Sequence, residues 1–143
     1  MILLDVNVWM AGVWAGHAHH NAARLWIDDQ DDDLAFCRVT HMALLRLLTT
    51  SAVMGRDVLT RGSAWQVLDE MFLDSRVVTA VEPPSIEPIW RVLSSTRDHA
   101  YRLWTDDYLA AFAIAGELPL ATFDRAFGTR YPSVNVETLG DTP

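Results

Sequence analysis

The strongest constraint on the fold of this chain is the alternation of short, β-rich apolar runs with longer helical patterns. The apolar runs predict strands at 1–4, 34–39, 76–81, 118–122 and 134–137. Between them, apolar residues at helical spacing predict helices at 18–30, 40–54, 61–74, 84–96 and 105–117, with a short helix directly after the first strand. Strands that alternate with helices of this length predict a central, mostly parallel sheet covered on both faces, an α/β fold with three α/β/α layers.

Length and composition limit the number of domains and the compartment. At 143 residues the chain is long enough for one full core, and no linker divides it, so we expect a single domain over 1–143. No apolar stretch reaches the roughly 18 residues of a membrane span. The N-terminus lacks the basic start of a signal peptide, and Cys37 is the only cysteine. These features favour a cytoplasmic protein without an intrachain disulfide.

The absence of lysine and the residue at position 7 exclude two classes of α/β enzyme. The formal net charge is −8, and all 11 basic residues are arginine, because the chain contains no lysine. A P-loop needs a lysine to bind the phosphates of a nucleotide, so nucleotide hydrolysis of that type is excluded. Phosphatases of the haloacid dehalogenase type need a second aspartate two residues after the first, and Asn7 stands at that position after Asp5.

The opening segment "MILLDVN" places a carboxylate directly after an apolar run. One interpretation is a buried parallel strand whose carboxyl end meets a ligand site at Asp5. The other is that Asp5 is simply the N-cap of the following helix, a position where aspartate is common. The opening residues alone do not distinguish these two interpretations of Asp5.

Two more aspartates are expected at the same edge of the sheet. Asp124 follows the apolar run of the fourth strand, and Asp106 opens the helix that leads into that strand. Each also has a structural explanation, since Asp106 can stabilise a helix N-terminus and Asp124 can cap a short helix. Clustered carboxylates resist ionisation unless a cation lies among them, and hard oxygen ligands suit Mg²⁺ or Mn²⁺.

Four segments carry a resemblance to a known family: "LLDVNVWMAG", "HAHHNAARLW", "THMALLRLLT" and "TDDYLAAFAIAGELPLATFDRAF". In order and spacing they resemble PIN-domain ribonucleases of the VapC toxin type, and the likeness covers nearly the whole chain. The resemblance implies that Asp5, Asp106 and Asp124 are the catalytic, metal-binding carboxylates. It also implies that Asn7 and Thr122 support these ligands or a water molecule.

The resemblance further implies an activity and its partners. The expected reaction is hydrolysis of RNA phosphodiester bonds by water, assisted by one or two Mg²⁺ or Mn²⁺ ions and without a covalent nucleophile. The expected protein partner is a small antitoxin that lies across the active-site groove and offers an arginine to the acids, and a homodimer is expected. Phosphate contacts are expected from arginines near the cleft, with Arg46, Arg97, Arg102, Arg125 and Arg130 as candidates.

One position departs from the family pattern. The family usually places a glutamate at the start of the helix after the second strand, and His41 stands there in this chain. We expect His41 at the rim of the acidic pocket, where three carboxylates raise its pKa above the ordinary value of about 6.5. A nitrogen ligand in place of a carboxylate would weaken Mg²⁺ binding and favour Mn²⁺.

Two alternatives stay open from the sequence. The first is a PIN-fold binding protein that has lost catalysis because of His41, and metal-dependent RNA cleavage would distinguish it from an enzyme. The second is another metal-dependent nuclease that acts on DNA, such as a flap nuclease. The short chain, without insertions for an arch or a helix-hairpin-helix, argues against this second alternative.

Overall fold

A computed structural model describes residues 1–140, and within them five strands form one sheet. The strands are β1 (Ile2–Leu4), β2 (Leu34–Phe36), β3 (Val77–Thr79), β4 (Leu120–Thr122) and β5 (Val136–Thr138). Their order is β3-β2-β1-β4-β5, and every neighbouring pair is parallel. The last three residues of the predicted domain over 1–143 lie outside the described residues.

Helices connect the strands and cover both faces of the sheet. They are α1 (Val6–Val13), α2 (His20–Asp28), α3 (Arg38–Leu48), α4 (Ser51–Met54), α5 (Arg61–Met71), α6 (Ile86–Ser94), α7 (Leu103–Gly116) and α8 (Phe127–Arg130), with a 3₁₀ turn at Gly55–Asp57. The predicted α/β/α architecture is therefore confirmed. In the part of the chain that the structure describes, no helix combines the length and hydropathy needed to cross a membrane.

Several predicted boundaries are wrong by a few residues. The second strand ends at Phe36 rather than at residue 39, because Cys37 and Thr40 cap a helix that begins at Arg38. The helix predicted over 40–54 is two helices, since Thr50 adopts an extended backbone and the hydroxyls of Thr49 and Thr50 donate to carbonyls of the preceding turn. Hydroxyls that bind the backbone compete with helix continuation at such positions.

The core lies in two layers because successive side chains of a strand point to opposite faces. Ile2 and Leu4 of β1 face one layer, which α1, α2, α3 and α5 complete, whereas Leu3 faces the other layer, which α6, α7 and α8 complete. The first layer contains a stacked pair, Trp9 on Phe36, with ring centroids 3.9 Å apart. The sheet is thus covered on both sides, as a parallel sheet requires.

The strand order determines where a ligand site can form. β1 is central, and the chain adds β2 and β3 on one side before it crosses to β4 and β5 on the other. Neighbouring strands whose connections run in opposite directions leave a crevice at their carboxyl ends. This crevice lies between β1 and β4, and the residues after these strands are Asp5 and the segment from Phe123 to Asp124.

Arg76 helps to hold the exposed acidic turn at 28–33 against the domain. Its guanidinium donates to the carbonyl of Ile27 in the last turn of α2 and to that of Gln30 just after the helix. The same guanidinium forms two hydrogen bonds with the Asp74 carboxylate, with Nη2 2.7 Å from Oδ2. Arg76 therefore satisfies carbonyls that the helix end leaves without intrahelical partners.

We expect Arg76→Met to lower the free energy of unfolding by about 2 kcal/mol, because two carbonyls and a carboxylate lose a charged donor. The matched control is Arg24→Met, which removes an exposed ion pair between Arg24 and Asp28 within α2. That change should stay within about 0.5 kcal/mol. Urea denaturation measures both values, and equal effects of the two substitutions would contradict this role of Arg76.

Candidate active site

Asp5 is the innermost carboxylate of the crevice. It follows β1, its side chain is buried, and only 7% of the residue is exposed. The Thr122 hydroxyl donates to Asp5 Oδ2 at 2.7 Å, and the Asn7 amide donates to the same oxygen at 3.0 Å. The carboxylate is therefore held in one orientation by the end of β4 and by the first turn of α1.

Asn7 and Thr122 link the two strand ends to each other. The Asn7 carboxamide donates to Thr122 Oγ1 at 3.1 Å and accepts from the backbone amide of Phe123 at 3.2 Å. Thr122 Oγ1 also accepts from the backbone amide of Asp124 at 3.0 Å. These contacts fix the start of the loop after β4 and connect both residues to Asp5. Their support of a metal ligand or a water molecule stays a prediction.

Asp106 and Asp124 share one arginine at the outer side of the crevice. Arg130 Nη1 donates to Asp106 Oδ2 at 3.0 Å and lies 3.4 Å from Asp124 Oδ2. The other oxygen of Asp124 accepts from the backbone amide of Ala126. Asp124 therefore caps the turn before α8 and also belongs to the acidic cluster, so its structural and functional interpretations are compatible.

The pKa values show that the three predicted aspartates interact. Burial raises the pKa of Asp5, and the nearby Asp124 raises it further. Burial also raises the pKa of Asp106 to about 6, with further contributions from Asp5 and Asp124 that Arg130 only partly offsets. Carboxylates that repel each other in this way are stabilised in their charged form when a cation binds between them.

The N-cap interpretation of Asp5 is only partly right. Asp5 does stand at the N-cap of α1, but its carboxylate makes no capping hydrogen bond to that helix. The backbone amides of Val6 and Asn7 come close enough to lower its pKa somewhat, less than burial raises it. The Asp5 side chain instead accepts hydrogen bonds from the Thr122 hydroxyl and the Asn7 amide.

The donor set of the crevice fits a hard divalent cation once the charge of Arg130 is displaced. Asp5, Asp106 and Asp124 offer carboxylate oxygens, which Mg²⁺ and Mn²⁺ prefer. Within residues 1–140, however, no three acidic, histidine or cysteine side chains converge closely enough to form a ready-made metal site. The Arg130 guanidinium lies against two of the three acids, Asp106 and Asp124, and offsets part of their charge.

The expectation for His41 is wrong in the direction of its pKa. Its ring contacts Phe36, Phe72 and Trp65, and its Nδ1 lies 2.8 Å from the Arg38 guanidinium. Burial lowers the pKa of His41, and the positive charge of Arg38 lowers it further. The imidazole is therefore a buried side chain of α3 whose surroundings favour its neutral form, and its contacts among the described residues do not include the acidic cluster.

Two polar residues beside the site were not singled out by the sequence. Asp107 is buried next to Asp106, and the Tyr131 hydroxyl donates to its Oδ1. This bond joins α7 to the end of α8 and so fixes the helix that carries Asp106 relative to Arg130. The only sequence signal for Asp107 was its place in the pair "DD" at 106–107, of which the family resemblance assigns only Asp106 to the site.

Comparison with known proteins places this geometry in a family context. Residues 2–130 match the family model of the PIN domain. The chain is 39% identical to ribonuclease VapC41 of Mycobacterium tuberculosis (strain H37Rv), over 97% of this chain and 99% of the relative. Its fold resembles VapBC2 from Rickettsia felis bound to a DNA fragment from their promoter, with a TM-score of 0.66, 16% identity and coverage of 98% and 100%. It also resembles VapC20 from Mycobacterium tuberculosis, a sarcin-ricin loop cleaving toxin, with a TM-score of 0.65, 17% identity and coverage of 90% and 94%.

The charge of Asp106 should destabilise the cation-free protein at neutral pH. Its folded pKa of about 6 lies above the ordinary value of 3.8, so stability present below pH 4 is lost as the pH rises through about 6. We expect Asp106→Asn to raise the free energy of unfolding at pH 7 by about 1–2 kcal/mol, a value reduced for partial exposure. Denaturation in EDTA at several pH values measures this, and Asp69→Asn, on the exposed face of α5, is the control. A variant that is less stable than the wild type at pH 7 would contradict the prediction.

His41 should produce a pH dependence of opposite sign. Its folded pKa lies below the ordinary value of 6.5, so its contribution to stability is present above that pH and is lost as the pH falls through the folded pKa. We expect the stability difference between wild type and His41→Leu to shrink as the pH falls below about 6.5. Denaturation curves of both proteins give this difference, and an increase on acidification would mean that the imidazole gains a proton on folding.

Proposed function

The chain belongs to the PIN-domain family, and from this premise we propose that it is an endoribonuclease toxin that hydrolyses RNA phosphodiester bonds and is inhibited by a cognate antitoxin. We further propose that it acts as the single domain 1–143 and depends on Mg²⁺ or Mn²⁺. Support for the reaction comes from the curated relative, a ribonuclease that aligns over almost its full length. The structural neighbour VapC20 is a toxin that cleaves the sarcin-ricin loop.

The observation that carries the proposal is the position of the three aspartates. Asp5, Asp106 and Asp124 come from distant parts of the sequence and meet at the crevice between β1 and β4. This crevice is where ligands bind in open parallel sheets. The same acids carry raised pKa values or share a counter-charge, which is typical of sites that bind a cation or move a proton.

Each residue has a role that follows from its contacts. Thr122 and Asn7 hold Asp5 through its Oδ2, and the Asp5 carboxylate would be the innermost oxygen ligand of a cation in the crevice. A divalent cation bound among the three carboxylates would lower the pKa of a water molecule and stabilise negative charge on the phosphate oxygens. Asp106 and Asp124 would complete the oxygen donor set and orient the attacking water through their carboxylates.

Arg130 would have a second role once Asp106 and Asp124 bind a cation. In the structure its guanidinium neutralises Asp106 and Asp124. A metal ion there would supply that positive charge and release the guanidinium, which is well suited to bind a phosphate through two hydrogen bonds. Arg130 would then bind the phosphate group of the RNA beside the site. The chain as a whole is strongly acidic, so such local contacts are needed to hold RNA.

The proposed partners follow from the same site. Arg130 shows that an arginine side chain fits between Asp106 and Asp124, and a basic side chain of an antitoxin could occupy this place and block the crevice. A homodimer is also proposed. Exposed Met42 of α3 and Val53 of α4, two helices that contact each other, offer an apolar surface for it.

We expect Asp5→Asn and Asp124→Asn each to reduce RNA cleavage at least 100-fold, equivalent to about 2.7 kcal/mol of activation free energy. Asparagine keeps the size of the side chain and can still accept from Thr122, but it lacks the charge. Cleavage by the wild type should stop in EDTA and return with Mn²⁺ or Mg²⁺. A panel of single-stranded RNA, tRNA and branched DNA, assayed with the purified proteins, provides the measurement.

The control is Asp69→Asn, which removes one negative charge far from the crevice and should leave the cleavage rate unchanged. Circular dichroism confirms that each variant is folded. Wild-type rates in folded Asp5→Asn protein would refute the assignment of the site. Cleavage of DNA but not of RNA by the wild type would instead favour a DNA nuclease.

A further inference from the structure

A large groove adjoins the acidic crevice and is not explained by the catalytic residues. It encloses about 1060 Å³ between α6, the beginning of α7 and the segment 95–102 that connects them. This volume lies at the upper end of the range for pockets that bind small molecules. The outer part of the groove is lined by Trp90, His99, Tyr101 and Trp104.

The groove is continuous with the acidic crevice through Arg130. This residue lines the inner end of the groove together with Asp107 and Tyr131, and its guanidinium also binds Asp106 and Asp124. A polymer whose phosphate lies at the three aspartates therefore has a direct path along the groove. A compact substrate bound at the crevice alone would leave most of this volume unused.

Two aromatic side chains of the groove are unusually exposed. Tyr101 is 71% exposed and Trp104 is 56% exposed. Trp104 meets Trp90 edge-on, with centroids 6.2 Å apart, and Trp90 in turn meets Tyr108 of the core edge-on at 5.3 Å. The core thus supports the Trp104 ring while more than half of the residue remains open to solvent. Exposed aromatic rings on a firm support are suited to stacking on unpaired bases.

Arginines lie at and beside the aromatic rings of the groove. Arg91 and Arg130 line it, together with the acids Glu87, Asp98 and Asp107. Arg97 and Arg102 lie in the connecting segment beside it. Arg102 lies over the Tyr101 ring, with its guanidinium carbon 5.6 Å from the ring centroid, and its Nε donates to the Tyr101 hydroxyl. Aromatic rings beside arginines form the combination that holds single-stranded nucleic acids.

We propose that this groove binds unpaired nucleotides of the RNA substrate beside the scissile phosphate, with Trp104 and Tyr101 stacking on bases. The proposal rests on the proposed ribonuclease function, and it assigns to Trp104 and Tyr101 of this chain the contacts with unpaired bases. A duplex keeps its bases stacked on one another, so they are not available to these side chains. The groove therefore selects the structure of the RNA, whereas the aspartates cleave it.

The test is binding of a fluorescein-labelled, unpaired RNA of about 12 nucleotides to the full-length protein in EDTA, where no cleavage occurs. We expect Trp104→Ala and Tyr101→Ala each to weaken binding about 10-fold, because one stacked base contributes about 1–3 kcal/mol. Trp104→Phe keeps a stacking ring and should stay within about 3-fold of the wild type. The matched control is Trp65→Ala, since Trp65 is 51% exposed on α5 and does not line the groove.

A second arm identifies stacking directly. Abasic sites are placed at successive positions of the RNA, and one position should weaken binding to the wild type about as much as Trp104→Ala does. Combining that abasic site with Trp104→Ala should cause little further loss, because both changes remove the same contact. A hairpin duplex of matched sequence should bind more weakly than the unpaired RNA and respond little to Trp104→Ala.

The outcomes separate this inference from the proposed function. If the wild type binds and cleaves RNA but Trp104→Ala and Tyr101→Ala bind it equally well, the groove assignment is wrong and the ribonuclease function stands. Equal losses for Trp65→Ala, or equal affinities for paired and unpaired RNA, also overturn the assignment. Failure of the wild type both to bind and to cleave any RNA overturns the ribonuclease function and the groove assignment with it. If Trp104→Ala weakens only binding of the co-expressed antitoxin, the groove is a protein-binding site instead.

Discussion

The structure depends on one electrostatic constraint, the mutual repulsion of three carboxylates at a partly buried crevice. Parallel pairing of β1 with β4 brings Asp5 near Asp124, and α7, which leads into β4, adds Asp106. Burial and mutual repulsion raise the pKa of Asp5 and move the pKa of Asp106 to about 6. Such a cluster lowers the free energy of unfolding in the absence of a cation, as is common at sites whose charged groups are held close together for function.

Arg130 supplies a cation from within the chain. Its guanidinium binds Asp106 and Asp124, while the bond between Tyr131 and Asp107 holds α8 against α7. An arginine neutralises charge through directed hydrogen bonds, whereas a divalent metal brings twice the charge at a single point. The structure shows the chain's own arginine at the acidic cluster. Under the proposed function, a metal ion and an arginine of a partner would compete with Arg130 for the same carboxylates.

The aromatic residues divide into two groups with different consequences. Phe36 and Phe72 pack around His41, where burial and the positive charge of Arg38 lower the pKa of the imidazole. Trp104 and Tyr101 instead open into the groove beside the acids. Aromatic rings thus form core in one place and exposed surface in the other. Phe36 lies on β2 within the buried layer that the helices complete, whereas Tyr101 in the segment 95–102 and Trp104 at the start of α7 remain 71% and 56% exposed.

The sequence by itself determined the α/β/α class and the three candidate aspartates, because strand and helix periodicity and an acid after an apolar run are local signals. It also identified Asn7 and Thr122 as neighbours of the acids, through resemblance to a family. Only the tertiary structure decided that Tyr131 binds the neighbouring Asp107, that Arg130 lies between two acids, and that His41 is buried among aromatic rings. The physical reason is that helix rotation and the packing of distant segments set the direction of a side chain. The spacing of residues along the chain constrains helix rotation and long-range packing only weakly.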